Sequence, residues 1–205
     1  DNPYHDYYIW QDATDAGKTP PNNWISLFQG PAWNYYENLN QWAMHLFSKK
    51  QMDLNWENEN VRNSVYEMMR WWLDKGIDGF RMDVINFISK TPGMPDANAF
   101  LGILTGYKGA EYYFYGPRLH EYLHEMREKA FGDYDVYTVG ECGGAGIEMD
   151  KMLTADYRKE LDTVFNFDFL INQGHDKYDT FDYSLYKVMR EFEKFQTRYT
   201  NHCWP

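Results

Sequence analysis

The stretch "GIDGFRMDVINF", residues 76–87, decides the fold and predicts a strand over 77–85. Successive side chains of a strand point to opposite faces. One face of this strand is then apolar and consists of Phe80, Met82 and Val84. The other face carries a glycine, a cation and an anion, namely Gly79, Arg81 and Asp83. Two charged side chains on one face of an otherwise apolar strand indicate a functional surface or a buried ion pair.

Helices and strands alternate along the chain around this stretch. Hydrophobic periodicity predicts helices over 60–75, 118–131, 147–156 and 184–199. Further strands are predicted over 136–141 and 162–169. Such alternation is typical of an α/β fold with a parallel sheet.

The first 58 residues differ in character from the rest. They contain turn formers, as in "DATDAGKTPPNNW" at 12–24, and little periodicity. We therefore predict an irregular, aromatic-rich subdomain over 1–58 and an α/β unit over 59–205. A long loop is expected at 90–117.

Composition and charge limit the partners. Apolar residues make up 43% and aromatic residues 19%, enough for a sizeable core. Some of the aromatic rings could stack on sugar rings, or all of them could simply pack in the core. The net charge of −11 argues against nucleic acid and anionic membranes and fits a small neutral substrate. Two cysteines, Cys142 and Cys203, form no disulfide framework and favour a cytoplasmic location. No signal peptide or membrane span is expected, and both termini resemble cuts through a longer protein.

Two carboxylates stand at neighbouring strand ends. Asp83 lies near the end of the first strand and Glu141 ends the next. Chemistry in a (β/α) barrel gathers at the carboxyl ends of the strands, so both would face one cavity. Arg81 would hold Asp83 ionised, and a drier Glu141 could act as an acid. Glycoside hydrolysis needs such a pair, although a register-fixing ion pair and an exposed Glu141 explain the pattern too.

No metal site is predicted. His120 and His124 are spaced i, i+4 on a helix and could chelate a metal, but a solvated helix face is the favoured interpretation. Cys142 could be a reactive thiol, and a passive loop residue is the favoured interpretation because no neighbouring motif activates it.

Several motifs together resemble a known family. "GIDGFRMDVINFISK" and "YTVGECGG" are similar to two signature regions of glycoside hydrolase family 13, the α-amylase family, in its oligo-1,6-glucosidase/α-glucosidase branch. "HDYYIW", "PPNNWISLFQGPAW" and "QMDLNW" resemble the same branch. The resemblance runs from residue 1 to about 170.

The resemblance implies a fold and roles for four residues. Asp83 would be the nucleophile, Glu141 the general acid/base and Arg81 the residue that orients the nucleophile. Val84 matches the valine of members that prefer α-1,6 linkages. The implied fold is part of a (β/α)8 barrel, from its third helix onward, with residues 1–58 as most of the subdomain inserted after the third strand.

Departures from the family pattern indicate a central piece of a longer enzyme. The first histidine motif would precede residue 1, and the third acid would follow residue 205. "NHC" at 201–203 has a cysteine where the family has that acid, so we reject it. A barrel takes roughly 250 residues, so this piece is expected to be inactive alone. The resemblance implies no cofactor here, with calcium possible only in the missing parts.

The resemblance implies a retaining α-glucosidase that hydrolyses α-1,6 and possibly α-1,4 bonds of short oligosaccharides such as isomaltose. The alternatives within the family are hydrolases of trehalose 6-phosphate, sucrose or maltose, and a transglucosidase. From other classes, a non-catalytic barrel subunit and a stable carbohydrate-binding module remain open. The oligomeric state is not predicted.

Overall fold

The computed structural model describes residues 2–144, 146–165, 167, 184–199 and 203. The chain forms two compact units, one made of Asp1–Ser64 and Lys90–Tyr113, the other of Val65–Ser89 and Phe114–Pro205. The segment 90–113 thus groups with the first unit by its contacts. The division at residue 58 into an inserted subdomain and a barrel part stays a prediction.

The first unit contains a small antiparallel sheet where the sequence indicated only irregular structure. Its strands are β1 (Trp10–Asp12), β2 (Trp33–Tyr36) and β3 (Gln41–Met44), in the order β1-β3-β2. Strands of three or four residues between turn formers are too short for their alternation to be read from sequence. Two short helices, α2 (Ala99–Thr105) and α3 (Ala110–Tyr113), occupy part of the predicted loop.

Buried aromatic rings form the core of the first unit. Trp24 is 1% exposed and stacks on Tyr112 with ring centroids 6.0 Å apart. The buried Asn22 side chain accepts hydrogen bonds from the Trp33 indole and the Trp24 backbone N–H. A Cβ at Gly109 would lie 2.7 Å from the Trp24 ring, so only glycine fits there. At Trp24 and Trp33 the aromatic content of the chain therefore serves packing.

The second unit is built on a parallel sheet, as predicted. Its strands β4 (Gly79–Met82), β5 (Tyr137–Glu141) and β6 (Thr163–Phe165) pair in chain order. Helices α1 (Glu59–Leu73), α4 (Leu119–Phe131), α5 (Gly146–Thr154) and α6 (Leu185–Arg198) lie between and beside them in sequence. The first turns of α1 belong to the first unit. The predicted end of the third strand, 166–169, falls mostly outside the described residues.

Helix α4 covers one face of this sheet. The Phe80 ring of β4 stacks on Phe131 of α4 at a centroid distance of 5.8 Å. The predicted apolar stripe of α4 is fully buried and includes Leu119, Tyr122, Met126 and Ala130. The opposite sheet face carries Arg81 and Tyr137, both exposed. Within Gly79–Met82, the apolar and charged faces predicted for this strand are distinct in the structure.

Other predicted core positions are exposed. Met68 and Trp72 of α1 are 47% and 44% exposed. The predicted apolar line of α6 exists, but Leu185, Met189 and Phe192 on it are also exposed. In the part of the chain that the structure describes, these positions stay exposed, so the periodicity identified amphipathic faces but not their burial. No helix in the described ranges is long and apolar enough to cross a membrane.

Candidate active site

The two predicted catalytic carboxylates lie at the same end of the parallel sheet. Glu141 is the last residue of β5, and Asp83 follows Met82, the last residue of β4. Met82 pairs with Gly140 across the two strands, so Asp83 and Glu141 continue the register as neighbours. This is the carboxyl end, where barrel chemistry gathers.

Arg81 bridges the two carboxylates. Its Nη1 lies 2.5 Å from Asp83 Oδ1, and its Nη2 donates to Glu141 Oε2. The Asp83 side chain is 70% exposed, whereas that of Glu141 is 22% exposed. The sequence paired Arg81 with Asp83 alone. Its contact with Glu141 depends on strand register between residues 60 positions apart.

The surroundings of Glu141 favour its protonated form. Partial burial is the largest cause that raises the pKa of Glu141 above its ordinary value. A hydrogen bond with Asp83 raises this pKa further, and the positive charge of Arg81 opposes the shift. The protonated carboxyl can donate that bond to Asp83, and a proton held at Glu141 is what a general acid needs.

Val84 does not continue the strand, contrary to the prediction of a strand over 77–85. It adopts the left-handed conformation, with φ 39° and ψ 42°, and precedes a 3₁₀ turn over Ile85–Phe87. This conformation is unusual for a β-branched residue and costs about 1–3 kcal/mol, a strain often found at active sites. Val84 is therefore half-buried in the turn beside Asp83 and is not part of the apolar strand face.

Two residues that the sequence did not single out hold the loop after Glu141. The Asn86 amide and the Tyr115 hydroxyl both donate to the Gly143 carbonyl, at 3.2 and 3.1 Å. The only sequence feature that could have indicated Asn86 is its position as a polar residue within the apolar run "VINF". Neither contact could be read from spacing.

The other candidate groups have structural partners. His120 Nδ1 lies 2.7 Å from the buried Glu160 carboxylate, and the His120 side chain is 30% exposed. The His124 side chain is 52% exposed. Cys142 is fully buried, which raises its pKa and disfavours the thiolate. Within the described ranges, no group of three or more His, Cys, Asp or Glu side chains could hold a metal ion. Residues 201 and 202 of the rejected "NHC" lie outside those ranges.

A cavity of about 340 Å³ opens at the amino end of β5 and β6. Tyr137 and Asp162 line it, beside Arg127, which binds the Asp162 carboxylate at 3.0 Å. It lies at the opposite end of the strands from Asp83 and Glu141. Because parallel barrels perform their chemistry at the carboxyl ends, we assign the site to the carboxylates and not to this cavity.

Comparisons with known proteins agree with the predicted fold. Residues 1–205 match the family described as alpha amylase, catalytic domain. The chain is 47% identical over 206 residues to an oligo-1,6-glucosidase of Halalkalibacterium halodurans, covering 100% of this chain and 36% of that protein. The chain therefore spans about a third of the length of such relatives.

Solved structures give the same result. The trehalose-6-phosphate hydrolase of Bacillus licheniformis superposes with a TM-score of 0.85 at 42% identity, covering 96% of this chain and 34% of that one. The isomaltulose synthase of Protaminobacter rubrum superposes at 0.90 with 34% identity, covering 100% and 36%. The predicted fold class, part of a (β/α)8 barrel, is confirmed. The chain belongs to the alpha-amylase catalytic-domain family.

Proposed function

We propose that the protein carrying this chain is a retaining α-glucosidase that hydrolyses α-1,6 bonds of short oligosaccharides such as isomaltose. The observation that carries the proposal is the Arg81 guanidinium shared by Asp83 and Glu141 at the carboxyl end of the sheet. The oligo-1,6-glucosidase relatives support the substrate class. The proposed partner is therefore a small oligosaccharide.

In the proposed mechanism the two carboxylates have different roles. Asp83, exposed and paired with Arg81, attacks the anomeric carbon while Glu141 gives its proton to the leaving oxygen. A covalent glucosyl ester on Asp83 results. Glu141, now ionised, takes a proton from water, which attacks the ester and frees both glucose and Asp83. Arg81 stabilises the Asp83 carboxylate before the attack and after it.

The contact of both carboxyl groups with Arg81 supports retention of configuration. Retaining enzymes hold the carboxyls about 5–5.5 Å apart, while inverting enzymes leave about 6.5–9.5 Å for a water molecule. Asp83 and Glu141 bind the two Nη atoms of one guanidinium from neighbouring strand ends. That proximity fits the shorter spacing.

The linkage preference rests on Val84. The resemblance ties a valine directly after the nucleophile to α-1,6 bonds, and Val84 occupies the turn beside Asp83.

Maltose, sucrose and trehalose 6-phosphate are the alternative substrates, and a transglucosidase is the alternative reaction. A phosphorylated substrate would need basic residues at the pocket, and the sequence offers only "SKK" at 48–50. A non-catalytic subunit is disfavoured because Asp83, Glu141 and Arg81 are all present. The cytoplasmic location and the lack of a cofactor stay predictions.

A substrate panel tests the proposal. The full-length protein carrying this sequence is incubated with isomaltose, maltose, sucrose and trehalose 6-phosphate. In parallel, NMR records the anomer of the glucose first released from p-nitrophenyl α-glucoside, whose leaving group is not a sugar. We expect isomaltose to be cleaved fastest of the four, and α-glucose to be the initial product from the aryl glucoside. Initial β-glucose would overturn retention. No cleavage of any of the four would overturn the glucosidase proposal and favour the non-catalytic subunit.

A further inference from the structure

One carbonyl oxygen joins the chain segments that follow the two catalytic carboxylates. The Gly143 carbonyl, two residues after Glu141, accepts hydrogen bonds from Asn86 Nδ2 and from the Tyr115 hydroxyl. Asn86 lies three residues after Asp83 and is completely buried. The Tyr115 backbone N–H donates to the Asn86 carbonyl at 3.0 Å, so the three residues form one hydrogen-bonded group.

Close packing holds this group in place. The Phe87 and Phe114 rings stack with centroids 4.6 Å apart, so the residues flanking Asn86 and Tyr115 are also in contact. A Cβ at Gly144 would lie 3.2 Å from the Phe114 ring. A Cβ at Gly140 would lie 3.1 Å from Ile85. Segments on both sides of Glu141 therefore have little freedom to move relative to the turn after Asp83.

We propose that Asn86 and Tyr115 are positioning residues that act through the Gly143 carbonyl to hold Glu141 at its working distance from Asp83. This inference rests on the proposed glucosidase function. Neither side chain is expected to touch the sugar. Their effect is on the placement of the general acid, and a misplacement of about 1 Å can cost roughly 100-fold in rate.

The expected signature is a dependence on the leaving group. Isomaltose expels a sugar alkoxide, which must be protonated as the bond breaks. A 2,4-dinitrophenyl α-glucoside expels a stable phenolate that needs no proton. A displaced Glu141 therefore slows the first reaction and spares the second, whereas a general loss of folded enzyme slows both equally.

The experiment compares kcat/KM for the two substrates in the full-length protein. Tyr115→Phe removes only the hydroxyl, and Asn86→Ala removes the amide donor. Tyr134→Phe is the matched control, because it removes a hydroxyl that donates to Asp74 at 2.6 Å near the amino end of the sheet. Glu141→Gln gives the full effect of losing the acid.

We expect Tyr115→Phe to lower kcat/KM for isomaltose roughly tenfold and for the aryl glucoside less than about twofold. Asn86→Ala should do the same if it folds, and Tyr134→Phe should change neither. Suppose that Glu141→Gln shows the selective loss on isomaltose. Equal losses on both substrates in Tyr115→Phe and Asn86→Ala, or no loss on either, would then overturn the positioning role. If Glu141→Gln itself spared isomaltose cleavage, the proposed function would fail first, and the positioning role with it.

Discussion

Each unit of this chain contains an aspartate held by a cation at 2.5 Å, and the two pairs differ in exposure. In the first unit, Lys90 binds Asp53, and their side chains are 9% and 12% exposed. In the second, Arg81 binds Asp83, and the exposures are 47% and 70%. The same ionic contact is thus nearly buried in the first unit and exposed in the second. Of these two aspartates, only Asp83 is exposed enough to meet a molecule from solution.

The hydrogen bonds of the two aspartates differ in the same sense. Asp53 binds Lys90 with one carboxylate oxygen and accepts the Leu46 backbone N–H with the other, so both oxygens are engaged. The Asp83 carboxylate faces Arg81 and Glu141 and otherwise solvent. We therefore interpret the Asp53 pair as structural and the Asp83 pair as catalytic.

The same isosteric substitution at each aspartate should separate the two roles most strongly. In the full-length protein, Asp83→Asn should lower isomaltose hydrolysis at least about 10³-fold, because it removes the proposed nucleophile. Asp53→Asn should leave kcat within about threefold at temperatures where the variant is folded. Initial rates at 25 °C, with circular dichroism to confirm folding, measure both. Comparable activity losses would contradict the assignment.

Removing the cation of each pair should affect stability more at Asp53 than at Asp83, the reverse of the order expected for activity. Lys90→Met leaves a nearly buried carboxylate unpaired and should lower the free energy of unfolding by about 3 kcal/mol. Arg81→Met, at an exposed pair, should change it by less than about 1 kcal/mol. Urea denaturation of the two full-length variants measures the difference. A loss at Arg81→Met as large as that at Lys90→Met would show that the open pair is structural as well.

The smallest expected effect is on the pH dependence of activity, and it concerns only Arg81, Asp83 and Glu141. Arg81 lowers the pKa of Glu141 against the effects of burial and Asp83. Arg81→Gln should raise that pKa, so the basic limb of kcat/KM for isomaltose should move to higher pH. Lys90→Gln should leave the limb in place. A limb that stays fixed in Arg81→Gln would show that Glu141 is not the group that must be protonated.

The raised pKa of Glu141 also makes the stability of the folded state depend on pH. A carboxyl whose pKa is raised on folding favours the folded state below its unfolded pKa, and this contribution is lost as pH rises through the folded pKa. Asp162 is the opposite case. Burial raises its pKa, but the Arg127 and Thr138 hydrogen bonds outweigh this and lower it overall. Its contribution to stability is therefore present above its unfolded pKa and lost as pH falls through the folded pKa.

Local sequence patterns determined the parts of the fold that depend on local chemistry. Helix α4 and strand β5 appear within one residue of their predicted bounds, because their apolar periodicity is long or flanked by clear turns. The alternation of helices and strands predicted the parallel sheet. The strand ends at Asp83 and Glu141 followed from this, so the candidate carboxylates could be named before their geometry was known.

Short or strongly turned segments could not be predicted in this way. Strands β1 to β3 have three or four residues each, and their pairing depends on contacts between residues far apart in sequence. The left-handed Val84 ended the predicted strand early, because the packing of the following 3₁₀ turn outweighed the β preference of its sequence. The aromatic content did not say which rings pack and which stay open.

The sequence by itself thus determined which residues could perform acid–base chemistry and at which end of the sheet they would stand. Only the tertiary structure decided that Arg81 reaches Glu141 as well as Asp83, and that Asn86 and Tyr115 converge on Gly143. These contacts join residues 28 to 60 positions apart. They depend on strand register and on the path of two turns, which no local pattern of side chains specifies.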